Sequence, residues 1–197
     1  MKELLLKYMS DFSSLSSDEQ CAIYESLQIN EYKKGTCLLG QGELSSIKCY
    51  FVLKGCVRQF SIDERGHEVT SNFFTEEQAI PIINLHNKKN SSKYSIICVE
   101  DSLLVAGDLD TENILFAKYP QLETMIRTMM EINMSEIQEH FGDFIHSSPE
   151  ERYEFIMKKR PWLVDRVPQH QLASYLGITP ESLSRIKKRL KSKLHTN

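Results

Sequence analysis

The sequence predicts an α+β protein: an antiparallel β-sandwich or roll, preceded by two short helices and followed by helices alone. Three observations carry this. From Glu31 to Asp108 the chain is rich in Val, Ile, Phe, Tyr and Thr, and glycines break it where turns are expected. From Glu112 onward the apolar residues recur at helical spacing instead. Charge is also segregated: Glu150 to Asn197 holds 11 Lys or Arg against 5 Asp or Glu, in a chain of formal net charge −3. That end is therefore at +6 and the remainder at −9, the distribution of a protein whose C-terminal part meets phosphate.

A length of 197 residues allows one large domain or two smaller ones. With 41% hydrophobic and 26% charged residues the composition is globular. No run approaches the ~20 apolar residues of a membrane span. The opening MKELLLKYMSDF has too few consecutive apolar residues for a signal peptide. The five cysteines (Cys21, Cys37, Cys49, Cys56, Cys98) have no C-x-x-C spacing and an odd total. Reduced, mostly buried thiols of a cytoplasmic protein are expected, rather than a disulfide framework or zinc ribbon. A redox role for Cys49 or Cys56 stays open, although no neighbouring pattern points to a depressed thiol pKa.

In chain order, Lys2 to Met9 reads as a helix. Ser16-Ser17-Asp18-Glu19 is a capping box that opens a second helix to about Gln28. Candidate strands are Thr36–Leu39, Lys48–Leu53, Val57–Ile62, Glu68–Phe74, Tyr94–Val99 and Leu103–Ala106, with Asp63-Glu64-Arg65-Gly66 as a hairpin turn. Glu76 to Lys93 interrupts them with AIPIINL and then HNKKNSSK, either a place to hold a small molecule or a surface loop, and its length favours the loop. After Pro120 a long helix runs to about Ile145, with Leu122, Met125, Ile126, Met129, Met130, Ile137, Phe141 and Phe144 as its apolar positions. That stripe suits packing on its own β part on one side and on a partner helix in a homodimer on the other. Ser148-Pro149-Glu150-Glu151 is another strong helix start. It divides the chain into 1–119, 120–146 and 147–197. Arg152–Lys159 forms a helix, Pro161 ends it, and Trp162 and Leu163 are expected to pack beneath a helical hairpin.

That hairpin is VPQHQLASYLGITPESLSRIKKRL, Val167 to Leu190. Gln169–Tyr175 is a first helix with Leu172 and Leu176 on one face. Gly177 closes it, Thr179 caps a second helix, Pro180 is its first residue, and Glu181 sits by the positive end of its dipole. Leu183, Ile186, Leu190 and Leu194 face inward; Glu181, Ser184, Arg185 and Lys188 face away. A helix–turn–helix with an exposed polar, basic face is the arrangement that enters a major groove. A plain packing hairpin gives the same spacing, and the charge segregation favours DNA over it.

The order of these parts resembles the Crp/Fnr family of bacterial transcription regulators. The resemblance spans nearly the whole chain and is strongest in YFVLKGCVRQF (Tyr50–Phe60), ICVEDSLLV (Ile97–Val105) and LASYLGITPESLSRIKK (Leu172–Lys188). It implies an N-terminal double-stranded β-helix like a cyclic-nucleotide-binding domain, a long dimerisation helix and a C-terminal winged helix–turn–helix. It also implies a homodimer on a palindromic operator of double-stranded DNA, with RNA polymerase a further partner where the regulator activates. The family reads bases through Glu-x-x-x-Arg, which Glu181 and Arg185 match. Arg can hold guanine bidentately and Glu can accept from cytosine N4. Pro180 stands where the cyclic-AMP-responsive member has a further Arg. Gln169, His170, Thr179, Ser182 and Lys188 are candidate phosphate contacts, and Pro180 and Ser184 complete the candidate DNA-binding set.

The sequence departs from the family at the effector site. Cyclic-nucleotide binders of the family carry Gly-Glu before a short helix and Arg-Ser/Thr after it. Here Phe73–Ala79 has no Gly, and Asn90-Ser91-Ser92-Lys93 has no Arg. Lys88, Lys89 or Lys93 could bring charge but not a planar fork. The effector is therefore unknown and cyclic AMP disfavoured. The alternative is a cyclic-nucleotide sensor with a non-standard phosphate site using Glu77 and Lys93. Cys21 and Cys37 alone do not make an iron–sulfur ligand set. His67 and His86 read as surface residues rather than haem ligands. No nucleophile elbow, H-E-x-x-H or phosphate-binding Gly loop suggests an enzyme.

Overall fold

A computed structural model describes residues 2–44, 47–82 and 91–194. Two helices open the chain, α1 (Lys2–Phe12) and α2 (Ser17–Ser26). The Ser16 hydroxyl and the Glu19 carboxylate exchange bonds with each other's amides in the expected capping box. The β part is an antiparallel sandwich of two four-stranded sheets. One sheet has the order β1 (Gln28–Tyr32), β8 (Ser102–Asp108), β3 (Ile47–Lys54), β6 (Ala79–Pro81). The other has the order β2 (Cys37–Leu39), β7 (Ser95–Cys98), β4 (Val57–Ile62), β5 (Glu68–Phe74). The Asp63–Gly66 turn joins β4 to β5 as expected: the Gly66 amide donates to the Asp63 carbonyl, with Gly66 at φ +82°.

Two strands differ from the expectation. The second helix stops at Ser26, because Gln28 to Tyr32 pairs residue by residue with Ala106 to Ser102 of β8. Pairing with a distant strand overrides the local helical signal there. β6 lies inside what the sequence offers as an interruption, pairing Ala79 to Pro81 with β3. It is an edge strand, so the missing amide of Pro81 is tolerated. The rest of that interruption, including His86, Lys88 and Lys89, lies outside the described residues.

The sandwich interior is filled by Leu39, Tyr50, Val52, Val57, Phe74, Ile80, Ile96, Cys98 and Leu104, drawn from both sheets. A second cluster packs α1, α2, α3 (Leu109–Lys118) and the start of α4 (Pro120–His146) against the outside of the β1–β8–β3 sheet. Leu122 and Met125 of α4 are buried in it. Burying a side chain such as Ile23 of α2 contributes ~1.5–3 kcal/mol.

The C-terminal helices are α5 (Pro149–Lys159), α6 (Leu163–Arg166), α7 (Gln169–Leu176) and α8 (Pro180–Leu194). α5 opens on the expected capping box of Ser148 and Glu151. Leu163 is fully buried, but Trp162 is 47% exposed, contrary to the expectation that both pack beneath the hairpin. The one-turn helix α6 turns Leu163 and Val164 inward and leaves Trp162 outside as its N-cap. Among the described residues the C-terminal segment from Pro149 to Leu194 contributes no strand of its own, so the wing implied by the resemblance has no counterpart there. No disulfide joins the five cysteines: Cys56 and Cys98 are buried, Cys21 and Cys49 half-buried, and Cys37 exposed, fewer buried thiols than expected.

Candidate nucleic-acid interface

The hairpin of α7 and α8 is built by the residues the sequence singles out. Leu172, Ala173 and Leu176 on α7 meet Leu183 and Ile186 on α8, all buried. Leu190 is partly buried against them. Gly177 takes the left-handed conformation at φ +72°, and the Ile178 amide reaches back to the Ala173 carbonyl. The Thr179 hydroxyl accepts from the Ser182 amide at 3.3 Å and so caps α8, with Pro180 as its first residue.

This packing fixes which face of α8 is left over. Glu181, Ser184, Arg185 and Lys188 are all exposed. They fall at successive three- and four-residue steps, hence on one side of the helix. Hydrogen bonds from its own amide and from Thr179 hold the Glu181 carboxyl below its ordinary range, with the nearby Arg185 charge adding to this. It is thus a charged acceptor at neutral pH. Lys187 and Arg189, by contrast, are engaged within the protein. Lys187 bonds Gln169 and lies 5.8 Å from the Tyr153 ring, and Arg189 pairs with Glu150. Among the described residues neither Arg185 nor Lys188 forms a salt bridge. Pro180, Gln169 and His170 are exposed, and Ser182 is half-buried beside the cap.

Arg152 was not singled out by the sequence. Its guanidinium stacks on the Phe144 ring at 3.7 Å and donates to two helix C-termini, the Phe144 carbonyl of α4 (3.1 Å) and the Leu176 carbonyl of α7 (3.1 Å). It ties the long helix to the turn of the hairpin. No spacing rule marks it, because its partners are eight and twenty-four residues away.

The candidate effector residues Glu77 and Lys93 both lie at the surface of the β part. Glu77 is exposed in the β5–β6 turn at φ +70°, with its amide donating to the Val52 carbonyl. Lys93 is exposed before β7. Neither belongs to the buried interior of the sandwich. Tyr50 is buried there and meets the partly buried Tyr32 edge to face, with centroids 6.3 Å apart. Burial, aided by Tyr32, pushes the Tyr50 phenol up to about 12, so it stays neutral. Among the described residues no group of His, Cys, Asp and Glu could hold a metal ion, and no helix is long and apolar enough to cross a membrane.

Comparison with known proteins places this architecture. Residues 29–119 match the cyclic nucleotide-binding domain family. Among solved structures the chain is similar to the catabolite activator protein of Thermus thermophilus, at 20% identity and TM-score 0.52, covering 92% of this chain and 86% of that one. It is similar to the c-di-GMP-responsive global regulator CLP of Xanthomonas campestris, at 14% identity and TM-score 0.66, covering 88% and 92%. It is also similar to a putative transcriptional regulator of the Crp/Fnr family from Eubacterium rectale, at 14% identity and TM-score 0.64, covering 95% and 88%. No curated protein sequence matches the chain.

Proposed function

From a chain that is Crp/Fnr-like in fold, with a cyclic nucleotide-binding domain at its centre, we propose a sequence-specific DNA-binding transcription regulator that acts as a homodimer. The observation that carries this is the outward face of α8, where Glu181 and Arg185 are exposed while Lys187 and Arg189 are engaged within the protein. In this reading α8 enters the major groove, Arg185 takes guanine bidentately, and Glu181 accepts from cytosine N4. Lys188, Ser184, Pro180, Gln169, His170, Thr179 and Ser182 line the adjoining backbone as positioning contacts. Residues 1–119 form the sensor part, 120–146 the dimerisation helix, and 147–197 the DNA-binding part.

The dimer reading is supported by α4. Beyond its buried start, Met130, Met134, Ile137, Phe141 and Phe144 are exposed, at alternating steps of four and three. That is the repeat of a coiled-coil seam, and a second copy of the same helix suits it. Phe141→Glu is expected to give monomers by light scattering and to weaken operator binding ~10²–10⁴-fold, as two linked half-site contacts become one. The effector is unknown. The absence of a Gly in Phe73–Ala79 and of an Arg in Asn90–Lys93 speaks against a cyclic nucleotide, and calorimetry with cyclic AMP and cyclic GMP is expected to show no heat at millimolar ligand. The function itself is tested by selecting bound sequences from random duplex DNA. A shared two-fold-symmetric site supports the reading, and an unordered set of bound sequences ends it.

A further inference from the structure

The apolar row of α8 fixes where the helix sits, but not how it is turned about its own axis. Leu183, Ile186 and Leu190 pack against α7, and burial of aliphatic groups is non-directional. Reading bases demands more, since a recognition group has to stand within about 10–20° of its productive geometry. At the ~5–6 Å side-chain radius of a helix, a roll of about 20° moves a side-chain end roughly 2 Å. That is enough to break the paired hydrogen bonds by which Arg185 would hold guanine.

Two cations of α8 turn back onto the protein and supply direction. The Lys187 ammonium donates to Oε1 of Gln169, the first residue of α7, and lies 5.8 Å from the Tyr153 ring of α5. Gln169 is itself anchored, its Nε2 donating to the Val164 carbonyl at 3.5 Å. Burial pulls the Lys187 ammonium below its ordinary range, against the Asp165 carboxylate, as befits a cation turned inward. On the other flank the Arg189 guanidinium pairs with Glu150, in the first turn of α5.

At about 100° per residue, Lys187 falls about 65° to one side of the centre of the apolar row and Arg189 about 95° to the other. Glu181, Ser184, Arg185 and Lys188 are centred opposite that row. The helix is therefore pinned on both flanks, each time to the start of a different helix. A roll in either sense draws one pin from its partner. Neither pin needs to contribute much to folding: the Arg189 side chain is 57% exposed, so its pair with Glu150 adds little stability. A contact of that kind can still decide orientation.

Taking α8 as the base-reading helix, we propose that Lys187 and Arg189 are positioning residues: they fix the roll of α8, and thereby its base preference, without touching DNA. Direct phosphate contact is the competing role for two cations on such a helix, and Glu150 separates the two. Glu150→Gln alters α5 alone and removes a negative charge. By charge alone it tightens DNA binding, whereas loss of the pin weakens it.

Sites are selected from random duplex DNA with the wild type, and affinity is measured on the selected operator and on each single-base-pair variant of its half-site. Glu150→Gln and Lys187→Met are each expected to bind the operator roughly tenfold more weakly, with preference flattened at more than one base pair. Their unfolding midpoints are expected to stay near that of the wild type. Arg189→Glu/Glu150→Arg re-forms the pair with its charges reversed, and is expected to restore both affinity and preference. Tighter binding by Glu150→Gln, or an exchange variant that stays weak with its salt slope reduced by about 1, would make Arg189 a phosphate contact and overturn the proposal. Unchanged base preferences in Glu150→Gln and Lys187→Met overturn it as well. A wild type that selects no shared site overturns the reading of α8 itself, and the pins lose their role with it.

Discussion

The sandwich interior and the joint between the sandwich and the C-terminal helices are both buried at their centres, and they are closed in different ways. At that joint Cys56, Phe73 and Val99 of the sandwich meet Tyr153, Leu163 and Leu172 of the C-terminal helices, and Arg166 pairs with Glu76 and Glu100. Among the described residues the interior is lined by strands of the sandwich and by Ile82 just after β6, with aliphatic and aromatic groups from each sheet. The joint is made by two parts of the chain, and charged residues that meet across its rim hold it. A dry, self-contained core opens only by unfolding, whereas a shared surface rimmed by hydrated ion pairs can part. In a chain whose fold is similar to that of Crp/Fnr regulators, the joint is thus the better place to look for motion than the interior.

Variants can break or sharpen this contrast. The largest effect is expected inside the sandwich. Leu104→Ala removes a fully buried side chain and should cost about 2–5 kcal/mol in denaturant unfolding, with Cys98 and Cys56 becoming reactive together. Gly177→Ala places a side chain at φ +72° and should cost about 1–2 kcal/mol, confined to the hairpin. Heteronuclear NMR should then show shifts in α7 and α8 and an unperturbed sandwich interior.

A smaller effect belongs to the rim and carries a pH signature. Burial works to raise the Glu76 carboxyl, but hydrogen bonds from Arg166 and the Gly55 amide outweigh it and leave it below its ordinary 4.5. The stabilisation from this shift is fully present above that ordinary value and is lost as pH falls through the lowered folded value. Glu76 is partly solvated, so less than ~1 kcal/mol is at stake. Unfolding midpoints of the wild type and Glu76→Gln should converge between about pH 6 and pH 3. A gap that stays constant over that range would show that the carboxylate does not stabilise the rim. The smallest effect is expected on the hairpin surface. Lys188→Ala should leave stability unchanged and reduce the salt slope of DNA binding by about 1.

What the sequence made legible is what local chemistry decides. The capping boxes at Ser16 and Ser148, the Asp63–Gly66 turn, Gly177 and the Leu183, Ile186 and Leu190 face of α8 each follow from residues within one or two turns of chain, and each is where it was expected. The side chain of Leu194, the fourth residue of that face, lies outside those described. β1 was not legible, since its partners lie in β8 some seventy residues away and its own pattern is mostly polar. The joint was hidden for the same reason: Arg166 meets residues 90 and 66 positions upstream. At Glu76-Glu77 the sequence singled out Glu77, and nothing in its spacing marked Glu76 as the carboxylate that meets Arg166. The β5–β6 turn puts Glu77 at positive φ and exposed, and sends Glu76 to Arg166. Trp162 misled because a large aromatic side chain beside buried Leu163 suggested burial, while the helical turn of α6 separates the two faces.

The central claim is that α8 reads base pairs through Glu181 and Arg185, and one paired measurement addresses it most directly. Operator affinity is measured for the wild type and for Arg185→Ala, on the selected site and on sites changed at each base pair of the half-site. The account predicts a loss of ~1–3 kcal/mol on the selected site and relaxed preference at one base pair only, with preferences elsewhere retained. A uniform loss across all sites, with every base preference intact, would make Arg185 a phosphate contact and contradict the account.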